Sequence, residues 1–245
     1  MTGEVSLWQK TNVRKGLCQV TIRNLNISCD ISYDLQSDDG VNGDKFMNQL
    51  EPVISRIPYM VVAGNHEYED GNFTNFRQRF WMPPNDYEQN QFYSFDLGPV
   101  HWVALSTEYY GYYEELGKQP ILAQYNWLVN DLKIRVGYDD LPGLEKPFLD
   151  YGVDLGFWGH VHYYERFYPV ANGKYWNSGC HSSGTKFDKH PVPFSAKRLN
   201  DYGYTILTVA NATHIHIQQL SIDENEAIVD DFWLSKDQGL IDTKE

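Results

Sequence analysis

The chain has 245 residues, a length that suits one domain or one domain with a small appendage. Hydrophobic residues make up 42% and aromatic residues 15%, which excludes a disordered chain and provides for a sizeable core. The formal net charge is -13 and no Lys/Arg cluster is present, which excludes the basic face that a nucleic-acid duplex requires.

A small phosphate ester is compatible with that charge, because a bound metal reverses the local field. Cys18, Cys29 and Cys180 form no CxxC pair, allow at most one disulfide within the chain and leave the compartment open. No run reaches the length of a membrane-spanning helix, and no membrane partner is expected. The first residues, MTGEVSLWQKTNVRKG, lack an apolar h-region, so no signal peptide is expected. Sequons begin at Asn26, Asn72 and Asn211; they hint at secretion, although an Asn-rich chain supplies a couple by chance.

In chain order, residues 17–23 alternate as a short strand, and nothing before them organises clearly. Residues 43–56 place Phe46, Leu50 and Val53 on one helical face. PYMVVAG then reads as a buried strand ending at glycine. Residues 91–107 predict two strands joined by a turn at Gly98 and Pro99. Residues 121–134 carry Ile121, Leu122, Tyr125, Leu128, Val129 and Leu132 on an amphipathic helix, and a shorter helix fits 143–151. GVDLGFW predicts another buried strand, ending at Gly159. YGYTILTVA, THIHIQQLS and AIVDDFWLS predict an antiparallel meander with turns at NAT and DENE. Strands alternating with helices, then a run of strands, predict a layered α/β domain with a mixed sheet.

Three polar blocks fall in order: CDISYD with Asp30 and Tyr33, AGNHEYED with Asn65, His66 and Glu67, and WGHVHYYER with His160 and His162. The last two follow apolar strands, and sites in open α/β sheets gather at the carboxyl ends of strands. Alone, each block has an ordinary reading as a turn or as polar background. A control lies in the same chain: His214 and His216 share the H-x-H spacing but sit inside an alternating strand, which predicts a solvent face. Together, the three blocks supply the oxygen and imidazole donors suited to Fe, Zn or Mn.

These blocks resemble the purple acid phosphatases, within the calcineurin-like metallophosphoesterases, whose pattern is D-x-G, G-D-x-x-Y, G-N-H-[DE], V-x-x-H and G-H-x-H. The resemblance also covers YDLQSDDGVNGDKFMNQLEPV, LPGLEKPFLDYGVDL, FSAKRLNDYGY and NATHIHIQQ, from about Asp30 to about Trp233, and it is nearest to the animal members. It implies layered mixed sheets flanked by helices with a C-terminal antiparallel meander. The domain would span 27–245, with 203–235 as the meander and 1–26 unassigned. It implies hydrolysis of small phosphomonoesters by two metals roughly 3.5–4 Å apart, which polarise the phosphoryl group and activate water for in-line attack. Asp30 would bridge the metals. Tyr33 and His162 would ligate iron, and Asn65 and His160 a second divalent metal (Zn, Fe or Mn). His66 would sit beside the phosphate and help stabilise or protonate the leaving alkoxide. A secreted or lysosomal location is the family's usual one.

The chain also departs from the pattern. The only acidic residue before Asp30 is Glu4, so the D-x-G aspartate is missing, and Cys29 replaces the glycine of G-D-x-x-Y. No histidine lies between His101 and His160, so the V-x-x-H ligand is missing too. NDLKIRV runs almost directly into GYDDLPGLEK, and a second shortening falls between GKYWN and SGCHSSG. Each metal thereby loses one protein ligand, with Glu4, His181 and His190 as conceivable substitutes. The alternative expectation is a catalytically impaired homologue.

Overall fold

Strands β1 (Cys18–Ile22) and β2 (Leu25–Cys29) pair antiparallel, and β2 pairs parallel with β3 (Tyr59–Val62), which the chain reaches through helix α1 (Val41–Ile54). The computed structural model describes residues 18–22, 25–29, 31–69, 71–84, 90–132, 144, 148–149, 152–159, 163–168, 170–171, 174–175, 193–236 and 239–242. Cys29 stands opposite Val62 in the β2–β3 register, so the segments that follow the two strands leave the sheet side by side. That juxtaposition brings the first two polar blocks together although they are more than 30 residues apart in sequence.

Helix α1 begins behind Gly40, which takes the left-handed conformation with φ +86 that a Cβ would strain. Gly43 in its first turn is fixed by space instead: a Cβ there would stand 2.5 Å from Nε of Arg79 and 2.8 Å from the Leu35 carbonyl oxygen. Arg79 ends helix α2 (Thr74–Arg79) and donates to the Gly40 carbonyl and to Asp44, each at 2.8 Å, tying α2 to the start of α1.

Strands β4 (Tyr93–Leu97) and β5 (Val100–Ala104) form the expected hairpin, with Gly98 at φ +61 in its turn. Two short helices follow, α3 (Glu108–Gly111) and α4 (Tyr113–Leu116), then α5 (Gln119–Leu132). The buried Gln124 locks α5 to the chain after β5: its Oε1 accepts from Ser106 N at 2.8 Å and its Nε2 donates to Ser106 O at 3.0 Å.

Strand β6 (Tyr164–Phe167) pairs with β9 (Ser195–Leu199), and the short β7 (Val170–Ala171) pairs with β8 (Lys174–Tyr175). The predicted meander follows as β10 (Gly203–Val209), β11 (His214–Ser221) and β12 (Ala227–Ser235), all antiparallel, and β13 (Gly239–Asp242) extends it. Strand β10 pairs parallel with β1, which makes a seven-stranded mixed sheet in the order β13-β12-β11-β10-β1-β2-β3.

Alternation along β11 buries Ile217, Gln219 and Ser221 on one face. Ile217 joins Leu207 and Phe232 in a small core. The main core gathers Ile31, Leu35, Val61, Phe73, Phe76 and Tyr109, among others, and Met60 and Phe95 pack against both clusters.

Two expectations are corrected. Residues 153–159 form no strand: Val153 is 40% and Phe157 36% exposed, and among the described residues no strand pairs with this segment. An apolar run becomes a strand only where a neighbour takes up its backbone groups. His214 and His216 do not form a solvent face; both are half-buried. The His216 ring stacks on its cross-strand partner Trp233 at 4.5 Å, and Nε2 meets Asp231 at 2.7 Å. The helix expected at 143–151 lies mostly outside the described residues, but Phe148 and Leu149 are helical.

Candidate metal centre

The loop after β2 carries Tyr33 and Asp34, and the loop after β3 tightens into a 3-10 turn at Asn65–Glu67. The Tyr33 and His66 rings lie 3.9 Å apart between centroids, inclined at 45°. Nδ1 of His66 is 2.7 Å from Oδ1 of Asp34, and both side chains are partly exposed. An imidazole held by a carboxylate through Nδ1 keeps Nε2 for proton exchange with a substrate. Asn42 of α1 donates to the carbonyls of Tyr33 and Asp34 at 3.1 and 2.7 Å, which steadies the loop from behind.

A second layer backs the 3-10 turn. The Tyr112 hydroxyl donates to the Asn65 carbonyl at 3.4 Å, and the Tyr112 ring stacks on Tyr68 with centroids 3.7 Å apart. The Tyr68 hydroxyl donates to Glu115 at 2.6 Å. Glu67 is buried, with its carboxylate on backbone N–H groups of both loops.

Of the residues expected at the site, the fold brings Tyr33, Asn65 and His66 together at the ends of two adjacent parallel strands. Asp30, His160 and His162 lie outside the described residues, as do Glu4, His181 and His190. Among the described residues, no three His, Cys, Asp or Glu side chains group so as to hold a metal ion. Asp34 and Tyr112 carry no function in the sequence reading. Asp34 merely follows Tyr33, and only the folded loop turns it toward a histidine 32 positions on.

The pattern described as "Calcineurin-like phosphoesterase" matches residues 34–164, and that described as "Iron/zinc purple acid phosphatase-like protein C" matches 177–231. The chain belongs to the calcineurin-like phosphoesterase family and, within it, to the purple acid phosphatases of animal type. It is 36% identical to the acid phosphatase type 7 of Homo sapiens, in a match covering 84% of this chain and 59% of that protein. Purple acid phosphatase 22 of Arabidopsis thaliana is 29% identical, over 78% of this chain and 53% of its own length. A purple acid phosphatase from yellow lupin (Lupinus luteus) seeds shares the fold with a TM-score of 0.67 at 21% identity, over 86% of this chain and 46% of its own.

The chain thus spans about half the length of these relatives, from 46% to 59%. The human match runs over 262 positions but takes up 84% of a 245-residue chain, about 206 residues, so about 56 of its positions have no residue here.

Proposed function

We propose that the chain hydrolyses small phosphomonoesters at a binuclear metal centre of the purple acid phosphatase type. The observation that carries this reading is the cluster of Tyr33, His66 and Asp34 at the ends of β2 and β3, in a chain of that family. The family implies a binuclear centre containing iron. The donor types fit one: a phenol and a carboxamide lie within adjacent loops, and hard or borderline ions accept such oxygens. Tyr33, Asp30 and His162 would hold iron, and Asn65, Asp30 and His160 the second ion, which we take as Zn, Fe or Mn. When bound, the two ions supply Lewis acidity and an activated water.

His66 does the proton work. Its ring orientation is fixed by Asp34, so in the imidazolium form Nε2 is the atom that gives its proton to the leaving alkoxide and is left as the neutral ring's acceptor. Tyr33, packed against the same ring, limits how far the imidazole swings. The chain from 27 to 245 is taken as the partial catalytic domain. A secreted or lysosomal setting follows from the family, and the exposed sequon residues Asn72 and Asn211 are accessible to glycosylation.

The test is direct. Purified chain loaded with iron and zinc is expected to turn over p-nitrophenyl phosphate at acid pH, and His162→Ala to lose that turnover. Folded protein that binds no metal and shows no turnover would overturn the reading. A second reading, an impaired homologue, is favoured by one observation: no histidine lies between His101 and His160. It predicts less than one metal per chain under the same loading.

A further inference from the structure

The two loops of the centre come from separate strands, and something must hold them in register. Glu67 is 1% exposed, yet it is a carboxylate. Its Oε1 accepts from the backbone N–H of Ser32 at 2.8 Å. Its Oε2 accepts from the N–H of Ile31 at 3.2 Å and from that of Gly64 at 3.0 Å. One side chain therefore spans the gap between the chain just after Asp30 and the chain just before Asn65.

A buried ionised group is tolerated only where hydrogen bonds replace its lost water, and charge-assisted bonds to N–H groups are the strong kind. Those three amides lie just beyond the last register pair of β2 and β3, Cys29 with Val62. Glu67 supplies the acceptors and stitches the two loop starts together. A glutamine in its place keeps the shape but turns an NH2 toward N–H donors, so at least one of the three contacts fails.

We propose that Glu67 is a positioning residue, a buried clamp that sets the loop bearing Asp30 and Tyr33 against the turn bearing Asn65 and His66. The contacts stand by themselves; the chemistry they serve rests on the metallophosphatase reading. Outer-shell groups of this kind typically alter metal affinity or activity by ten- to a hundredfold.

The experiment compares wild type, Glu67→Gln and Asp230→Asn, the last removing a buried carboxylate in the meander far along the sheet from the clamp. Amide hydrogen exchange is followed on the full chain without added metal. In Glu67→Gln, exchange at one or more of the Ile31, Ser32 and Gly64 amides is expected to rise at least tenfold above any global change. In Asp230→Asn those three amides should follow global stability only. Titration with iron and zinc then reads affinity: Glu67→Gln should bind at least tenfold more weakly, while Asp230→Asn binds as wild type does.

Unchanged exchange at the three amides in Glu67→Gln would overturn the clamp, as would equal metal affinity in Glu67→Gln and wild type that both bind. If wild type itself binds no metal, the metallophosphatase reading falls, and the exchange comparison still decides whether Glu67 holds the loops.

Discussion

His66 shows what a single residue gains from the loop that faces it. Its Nδ1 contact with Asp34 at 2.7 Å fixes the ring and leaves Nε2 for the proposed chemistry, in which the imidazolium form would give its Nε2 proton to the leaving group. Positioned proton transfer of this kind contributes about 10²–10⁴-fold. His66→Ala is therefore expected to lower kcat by that factor with little effect on KM, measured with p-nitrophenyl phosphate. Asp34→Asn should lose a smaller part of the same factor, because the ring keeps its packing against Tyr33. Asn65 and His66 stand out in sequence because an Asn-His pair after a strand-ending glycine fits a known pattern. Asp34 and the clamp formed by Glu67 do not stand out. Their roles depend on backbone amides and a ring brought close by the β2–β3 register, and no spacing rule along the chain encodes that.

Among the elements, local periodicity was a good guide where a helix or strand buries one face. The 3.6-residue period of residues 43–56 and 121–134 corresponds to α1 at 41–54 and α5 at 119–132, and period 2 located the meander. It failed at 153–159, where an apolar run has no described strand beside it, and it missed β9 and β13, which exist because β6 and β12 offer edges. Two polar pairs between elements give tests. Arg166 of β6 bonds Asp230 of β12 at 2.8 Å with both side chains buried, and its guanidinium lies 4.7 Å from the Phe232 ring centre. Asp230→Ala takes away the carboxylate that two donors of the buried Arg166 guanidinium reach, so it should cost about 3–5 kcal/mol in urea denaturation. His101 of β5 sits between Asp96 at 2.7 Å and Asp131 of α5 at 3.1 Å. The bond to Asp131, then that to Asp96, hold its pKa above the ordinary 6.5 against the opposing effect of burial. A folded pKa above the unfolded one stabilises the folded chain fully below about pH 6.5, and that stabilisation fades as pH rises through the raised value. The ring is 43% exposed, so the effect is small. His101→Gln should lower Tm slightly at pH 5 and leave it unchanged at pH 9, read by scanning calorimetry at matched salt.

At the scale of the whole molecule, the seven-stranded sheet and its two cores assemble without the roughly 56 positions that the human relative has and this chain lacks. The absence of a histidine between His101 and His160 and the shortened junctions are legible in the sequence, because they can be counted without knowing the fold. What such a departure does to binding is a matter of free energy rather than of pattern. A metal that binds only the folded chain stabilises it by mass action, by about 2.7 kcal/mol at a free concentration a hundred times Kd. For a chain of this size each kcal/mol moves Tm by about 2–4 °C, so iron and zinc at that excess should raise Tm by about 5–11 °C. The rise should saturate with metal, since a binding site fills and nonspecific salt effects do not. His162→Ala and Tyr33→Phe should each reduce it, because each removes a donor proposed for the iron. Asp230→Asn should start from a lower Tm and show the full rise, which separates loss of the site from loss of the fold. A metal-independent Tm in wild type, with the sheet intact by far-UV circular dichroism, would place the chain with the impaired homologues.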